Sequence, residues 1–171
     1  MRKKEWILTV AAVFIFFIQP GRAAGGAMKL TSIFFNDGQA IPPRFTCQGD
    51  DINPELTIEN IPSSAKTLVL IVDDPDAPSG NWVHWIVFDI SPVSRIGENS
   101  IPGKQGLNSA GELSWHGPCP PSGRHRYFFN IYALDAVLNL KEGASRVELE
   151  EAMQGHILAD ARLLGTYEKK R

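Results

Sequence analysis

The stretch Val72–Trp85 decides the fold of this chain, and it reads Val-Asp-Asp-Pro-Asp-Ala-Pro-Ser-Gly-Asn-Trp-Val-His-Trp. The apolar run Leu68–Val72 leads into it, and the apolar run Trp85–Ile90 follows it. Both runs are short and rich in β-branched and aromatic residues, which is typical of buried strands. The prolines and the glycine between them favour a turn. The stretch therefore predicts two consecutive strands joined by a polar loop.

Similar strand and turn patterns lie on both sides of this stretch. We predict strands over Lys29–Phe35, Glu55–Ile58, Thr67–Val72, Trp85–Ile90 and Tyr127–Leu134. We predict that Ile41–Thr46 is extended, because its paired prolines disfavour a helix. Ser91–Leu113 is polar and dotted with glycine, so we predict a surface loop with one short strand.

One helix is signalled, late in the chain. Ser145 and Glu148 have the spacing of a capping box. Four residues then fall on one helical face, namely Leu149, Ala152, Met153 and His156. Ile157–Tyr167 alternates only in part, and its pattern suits either more helix or a last strand. Short strands, Pro/Gly turns and one helix predict an all-β-dominated fold, an antiparallel Greek-key-like β-sandwich with one late α-helix.

The composition suits one globular domain. Of 171 residues, 43% are hydrophobic and 21% are charged, which provides enough apolar material for one core. The formal net charge is −2, so nucleic-acid binding through a basic field has no support. We therefore expect no nucleic-acid partner.

The N-terminus has the pattern of a secretory signal peptide. Arg2–Lys4 form a positive region, Trp6–Ile18 form an apolar region that is short for a membrane span, and Pro20 ends it. We predict a signal peptide over residues 1–24, with cleavage between 23 and 27, and a domain over 28–171. The domain is then periplasmic or secreted. The alternatives are an uncleaved membrane anchor and a cytoplasmic product that starts at Met28.

The chain has two cysteines, Cys47 and Cys119. An even number in an oxidising compartment makes a disulfide a reasonable hypothesis. Two unpaired thiols are the alternative, and the residues alone leave both possibilities open.

The polar residues of the first loop include a carboxylate pair and a histidine. Asp74 and Asp76 flank a stiff proline, and alternation along a strand puts Trp82 and His84 on one face. Alternation puts Val83 and Trp85 together on the other face. Taken singly, each aspartate is more simply a turn cap and the histidine a packed core residue.

A second polar loop, Gly117–Tyr127, reads Gly-Pro-Cys-Pro-Pro-Ser-Gly-Arg-His-Arg-Tyr and also leads into a strand. His125 and Tyr127 share one strand face, and Arg124 and Arg126 share the other. Imidazole N–H, phenol O–H and glycine N–H groups suit phosphate oxygens, whereas a carboxylate fits there only if it is protonated or orients a histidine. We therefore predict that the two loops form one site.

The two loops together resemble the two signature regions of the phosphatidylethanolamine-binding protein family, and more closely those of its bacterial Raf kinase inhibitor-like branch. The first is Asp74-Pro75-Asp76-Ala77-Pro78 with His84, and the second is Gly117-Pro118…Pro121-x-Gly123-x-His125-Arg126-Tyr127. The resemblance covers nearly all of Met28–Arg171. It implies a β-sandwich with a small anion pocket at one end, lined by Asp74, Asp76, His84, Gly117, His125 and Tyr127. It also implies that Ile157–Tyr167 is a strand, and Cys119 in the Pro-rich loop is consistent with a bridge to Cys47.

These observations predict an exported, non-enzymatic binding protein for a phosphate-like group or a phospholipid head group. We expect no cofactor and no metal, and a protein partner is compatible with this role. Contact with a membrane would come only through an uncleaved leader or through lipid head groups.

Three other functions stay open at this point. A metal-dependent hydrolase would use His84, His125 and an Asp, with His116 as a further ligand. A serine hydrolase would use Ser79, Ser114 or Ser122, although no Gly-x-Ser-x-Gly motif is present. A protein-interaction or inhibitor module with a vestigial pocket is the third.

Overall fold

The computed structural model describes residues 26–170, so the predicted signal peptide over 1–24 lies outside the described residues. The strands are β1 (Lys29–Thr31), β2 (Gln39–Ala40), β3 (Leu56–Glu59), β4 (Thr67–Asp74), β5 (Trp82–Ile90), β6 (Arg95–Ile96), β7 (Lys104–Gln105), β8 (Arg124–Leu134) and β9 (Ile157–Glu168). One 3-10 turn spans Pro43–Phe45, and the helix α1 spans Arg146–Met153. Within residues 26–170, no helix is long and apolar enough to cross a membrane.

The strands form two open sheets. One has the order β1-β3-β6, and the other has the order β2-β9-β8-β4-β5-β7. All the strand pairs are antiparallel except β2 with β9. The prediction of an all-β-dominated sandwich with one late helix is confirmed. Ile157–Tyr167 belongs to a strand, as the family resemblance implied.

The central strand β4 is buried along its whole length and separates two apolar clusters. Leu68, Leu70 and Val72 belong to the larger cluster, which also contains residues of the smaller sheet. Val69 and Ile71 belong to the other cluster, with Leu149 of α1. Because strand side chains alternate, Asp74 lies on the same face of β4 as Leu68, Leu70 and Val72. Asp73 lies on the face of Val69 and Ile71. The fold therefore separates two adjacent carboxylates onto opposite faces of one sheet.

A β-bulge interrupts the pairing of β4 with β5 at His84. Val72 pairs with Trp85 and Asp73 pairs with Val83, so His84 has no partner on β4. The prediction that Val83 and Trp85 share a face is wrong, because the extra residue resets the alternation. Val83 packs in the cluster with α1, and Trp85 packs in the larger cluster.

Several local predictions need correction. Pro43–Phe45 is a 3-10 turn rather than extended chain, since Pro43 occupies its start, where the missing N–H costs nothing. The first strand ends at Thr31, and the long segment after β5 contains two short strands instead of one.

The capping box of α1 is confirmed, because Ser145 accepts a hydrogen bond from the Glu148 N–H and the Glu148 side chain accepts one from the Ser145 N–H. Leu149 and Met153 are buried as predicted. His156 lies beyond the helix and is exposed, so its assignment to the apolar face was wrong. Its Nδ1 lies 2.8 Å from Asp135 Oδ1.

A disulfide joins Cys47 to Cys119, with their Cα atoms 5.4 Å apart. It connects the loop before β3 to the Pro-rich loop before β8, where the Cys47 N–H also donates to the Pro118 carbonyl at 3.3 Å. The hypothesis of a bridge is confirmed. The bridge fixes one wall of the cavity described next.

Candidate functional site

A cavity of about 270 Å³ lies where β4, β5 and β8 meet the two polar loops. Its lining contains four of the six predicted site residues, namely Asp74, His84, His125 and Tyr127. The remaining walls come from both loops and from the start of β5: Ala77, Pro78, Ser79, Trp82, His116, Cys119, Pro120 and Pro121. The two loops therefore meet at this cavity, and three of its twelve lining residues are prolines.

Asp74 orients His125. The His125 Nδ1 lies 2.7 Å from Asp74 Oδ2, and the side chains of both residues are less than a tenth exposed. The other carboxylate oxygen accepts the Asp76 N–H at 2.8 Å. Because an ionised carboxylate only accepts, Nδ1 of His125 carries a proton, and Nε2 is the nitrogen that remains for a ligand. Asp74 thus acts on a ligand through His125.

His84 is held in a similar way by a backbone group. Its Nδ1 makes a short hydrogen bond to the carbonyl oxygen of His116. The His116 N–H in turn donates to the His84 carbonyl at 3.1 Å, so two hydrogen bonds join these residues beside the bulge. Burial is the main cause that lowers the pKa of His84, which favours the neutral ring.

Two buried donors at the cavity have no hydrogen-bond partner among residues 26–170. They are the Tyr127 hydroxyl and the Trp82 indole N–H. Burial, and then the charge of the nearby Asp74 carboxylate and a hydrogen-bonding interaction with it, raise the pKa of Tyr127, so its oxygen keeps the proton. The contact with Asp74 does not have the geometry of a formed hydrogen bond. Buried donors are rarely left unpaired, and both belong to residues that line the cavity. Both atoms are closed off from solvent, so an acceptor in the cavity would pair with them after a small movement of the lining.

Asp76 and Gly117 do not belong to the cavity lining, although both support it. Asp76 accepts the Nε–H and Nη2–H of Arg126 at 2.8 and 2.7 Å, and this pairing lowers the pKa of Asp76 to about 2. The Gly117 N–H donates to Asp51 Oδ1 at 2.7 Å. A β-carbon at Gly117 would overlap that oxygen and lie 2.8 Å from the Phe45 carbonyl oxygen. Both residues position a loop.

Only some of the residues that the two hydrolase alternatives require lie at the cavity. Ser79 lines the cavity, whereas Ser114 and Ser122 do not. No group of three or more His, Cys, Asp or Glu side chains in residues 26–170 has an arrangement that could hold a metal ion. His84 and His125 lie together, but each commits its Nδ1 to an oxygen acceptor.

The sequence did not reveal two contributors to the site. The carbonyl of His116 sets the orientation of His84, and a backbone group carries no signal in the residue pattern. Trp82 was placed beside His84 by alternation, but nothing in the pattern indicated that its N–H would lack a partner. Both are set by parts of the chain that are distant in sequence or by packing, which the residue pattern does not show.

The fold and the cavity together define a β-sandwich protein with a histidine- and tyrosine-lined cavity at one end. A sequence model of the family described as phosphatidylethanolamine-binding protein matches residues 31–168. A UPF0098 protein from Methanothermobacter thermautotrophicus is 49% identical over 150 residues, which cover 83% of this chain and 99% of the relative.

Two solved structures support the same family assignment. A phosphatidylethanolamine-binding protein homologue from Chlamydia trachomatis has 51% identity and a TM-score of 0.82, and the match covers 84% of this chain and 99% of the homologue. YbcL from Escherichia coli, described as a new member of the mammalian family, has 26% identity and a TM-score of 0.77, with the same coverage of 84% and 99%. The chain belongs to the phosphatidylethanolamine-binding protein family.

Proposed function

We propose that this protein is an exported, non-enzymatic binding protein whose cavity holds a phosphate-like group, either free or at the head of a phospholipid. The observation that carries the proposal is the buried Tyr127 hydroxyl, which has no partner among the described residues and lies at the same cavity as two oriented histidines. A phosphoryl oxygen would satisfy this donor. The unpaired Trp82 N–H offers a second donor to the same group.

The histidines add charge to these donors when they are protonated. With each Nδ1 already bound to an oxygen, a second proton goes to Nε2 and creates a donor for the ligand. Hydrogen bonds to an ionised group are about twice as strong as neutral ones. Because burial lowers the pKa of His84, its charged form is lost at a lower pH than for an ordinary histidine. Affinity for a phosphate group should therefore fall as the pH rises.

The cavity walls suit a ligand with a short apolar arm. Ala77, Pro78 and Pro120 line the cavity together with its polar side chains and offer apolar contact. Such walls fit the carbon atoms of a phosphate ester. The names of the relatives reported above state no catalytic activity, which is consistent with binding as the role.

Calorimetric titration with inorganic phosphate and with phosphoethanolamine tests the proposal. We expect measurable binding by the wild type and a loss of about tenfold or more in His125→Ala, since this variant removes a charge-assisted hydrogen bond. His156→Ala is the matched control, because His156 is exposed and outside the cavity lining. Absence of binding by the wild type, or equal affinity in His125→Ala and the control, would contradict the proposal.

Export is proposed from the leader pattern in residues 1–24. Expression of the full chain in a bacterium, followed by mass measurement of the periplasmic protein, tests it. We expect a product shortened by cleavage between residues 23 and 27. Full-length protein confined to the cytoplasm would contradict export without affecting the binding proposal.

A further inference from the structure

The orientation of His84 has a consequence for which anions the cavity accepts. A carbonyl oxygen can only accept, so the contact between His84 Nδ1 and the His116 carbonyl requires the proton to be on Nδ1. A neutral imidazole has one donor and one acceptor. The lone pair of neutral His84 is therefore on Nε2.

This lone pair opens onto the cavity. Nε2 of His84 has no hydrogen-bond partner among residues 26–170, and it is not among the buried polar atoms that are closed off from solvent there. The ring lines the cavity and stands edge-on to Tyr127, with ring centroids 5.1 Å apart. A ligand beside the Tyr127 hydroxyl thus meets a fixed acceptor as well as a donor.

His125 also lines the cavity and has a similar hydrogen bond. Its Nδ1–H is committed to Asp74, so the lone pair of its neutral ring is likewise on Nε2. The other titratable groups around His84 are Asp74 on β4, Tyr127 on β8 and His116 before β8, while Asp73 faces the other side of the sheet. Of these, Tyr127 provides a buried hydroxyl with no partner among the described residues, and the partly exposed His116 ring, whose Nδ1 lies 3.8 Å from Glu112 Oε2, makes no hydrogen bond there either.

An oxyanion without a proton would place its own lone pairs against these nitrogens. Binding would then require the histidines to take up protons from solution. An oxyanion that carries an O–H or N–H group can instead donate to Nε2 while its other oxygens accept from Tyr127 and Trp82. Leaving a polar contact unsatisfied at a buried site costs on the order of tenfold or more in affinity.

We propose that the cavity selects oxyanions that bring a hydrogen-bond donor of their own, and that Nε2 of His84 is the selecting acceptor. The inference rests on the proposed function, and it narrows the ligand to a phosphoryl group with either a P–OH or a nearby ammonium group. Free hydrogen phosphate supplies the first, and an ethanolamine phosphodiester supplies the second. Sulfate shares the tetrahedral centre and dimethyl phosphate shares the phosphodiester group, but neither carries a hydrogen-bond donor.

Calorimetry of the full chain as it is purified, with these four anions at matched ionic strength, tests the selection. At about pH 8, where an ordinary histidine is neutral, we expect phosphate and glycerophosphoethanolamine to bind at least about tenfold more tightly than sulfate and dimethyl phosphate. As the pH falls far enough to protonate the histidines, Nε2 becomes a donor and the gap should narrow, and because burial lowers the pKa of His84 this requires a lower pH than for an ordinary histidine. Titrations in buffers of different ionisation enthalpy should show more proton uptake with sulfate than with phosphate.

His84→Asn separates the selecting group from the rest of the cavity. Its amide nitrogen can replace Nδ1 as the donor to the His116 carbonyl, and its amide oxygen then takes the place of the ring Cδ2, so the acceptor at the Nε2 position is lost. The preference of phosphate over sulfate should then fall to within about twofold, and His156→Asn should keep the wild-type preference. If His84→Asn does not fold, nitrogen NMR of the wild type gives the same decision, since the inference requires an unprotonated Nε2 at about pH 8 that shifts when phosphate is added.

The outcomes distinguish the two proposals. If no anion binds, the proposed function itself fails. If sulfate binds the wild type as tightly as phosphate at about pH 8, or if His84 proves to carry its proton on Nε2, binding stands and the selection is overturned. A preference for glycerophosphoethanolamine alone identifies a lipid head group as the source of the donor, and a preference for phosphate alone identifies the free anion.

Discussion

Tyr127→Phe should have opposite effects on the stability of the free protein and on its affinity for phosphate. The Tyr127 side chain is fully buried in β8, and its hydroxyl has no hydrogen-bond partner among the described residues. Removing an unsatisfied buried hydroxyl relieves a desolvation cost and leaves the ring packing in place. The same hydroxyl is the donor on which the proposed phosphate site depends.

The expected sizes follow from general values for buried polar groups. An unsatisfied buried group costs about 1–3 kcal/mol, so the variant should gain on the order of 1 kcal/mol in the free energy of unfolding. For a domain of this size, that gain raises Tm by roughly 2–4 °C. A lost hydrogen bond to a charged ligand is worth about 1.5–3 kcal/mol, which weakens phosphate binding by roughly 10–100-fold.

Tyr167→Phe is the matched control. Tyr167 is also buried, but its hydroxyl donates to Gln48 Oε1 at 2.6 Å. We expect this variant to lose about 1 kcal/mol of stability, because it removes one hydrogen bond, although Gln48 Oε1 still accepts the Lys170 N–H at 2.9 Å. Urea unfolding without ligand and phosphate calorimetry measure the two effects. If Tyr127→Phe is destabilised as much as Tyr167→Phe, the Tyr127 hydroxyl has a partner in the folded protein and the reasoning fails.

Three further predictions concern the loops around the cavity. Reduction of the disulfide, which spans 72 residues of sequence, should lower the free energy of unfolding by up to about 4 kcal/mol. Equal urea midpoints with and without reductant would contradict this stabilising role of the disulfide. Asp76→Asn should be less stable than the wild type above about pH 4, and the difference in Tm should shrink as the pH falls towards 2. The reason is that pairing with Arg126 lowers the folded pKa of Asp76 from 3.8 to about 2, so protonation removes the stabilisation. A difference in Tm that does not change with pH would count against this pairing. Gly117→Ala should lower the free energy of unfolding by about 1–3 kcal/mol, because its β-carbon would meet backbone atoms. Gly97→Ala is the control and should be nearly neutral, because its β-carbon would have only ordinary contact with a serine side chain. Similar losses of stability in both variants would refute the argument.

The sequence predicted the parts of the fold that depend on neighbouring residues. The capping box needs only Ser145 and Glu148, three residues apart, so its pattern was sufficient. Strand alternation placed His125 and Tyr127 on one face because β8 runs there without a bulge. The family resemblance added the assignment of β9, whose own pattern was ambiguous.

The failures occurred where a distant part of the chain decides the structure. The bulge at His84 appears only when β5 is aligned with β4, and it moved Trp85 away from the face of Val83. Asp76 was expected in the pocket, but Arg126, which lies 50 positions away in the sequence, holds its carboxylate at the loop edge. The role of Gly117 depends on Asp51 in another loop, so its residue type indicated close approach without showing to what.

The short acidic run after Val72 shows how one strand end can support a binding site from both sides of a sheet. Asp74 faces the cavity and orients His125, whereas Asp73 faces α1 and accepts from Arg146 Nη1 at 2.8 Å. Asp73 also accepts from the Asn81 side chain at 3.0 Å, and Asn81 ends the loop that forms one cavity wall. Because side chains alternate along β4, a shift of this strand end by one residue would exchange the two carboxylates. It would bury the orienting group of the site under the helix, so the register of β4 and the chemistry of the cavity depend on the same residues.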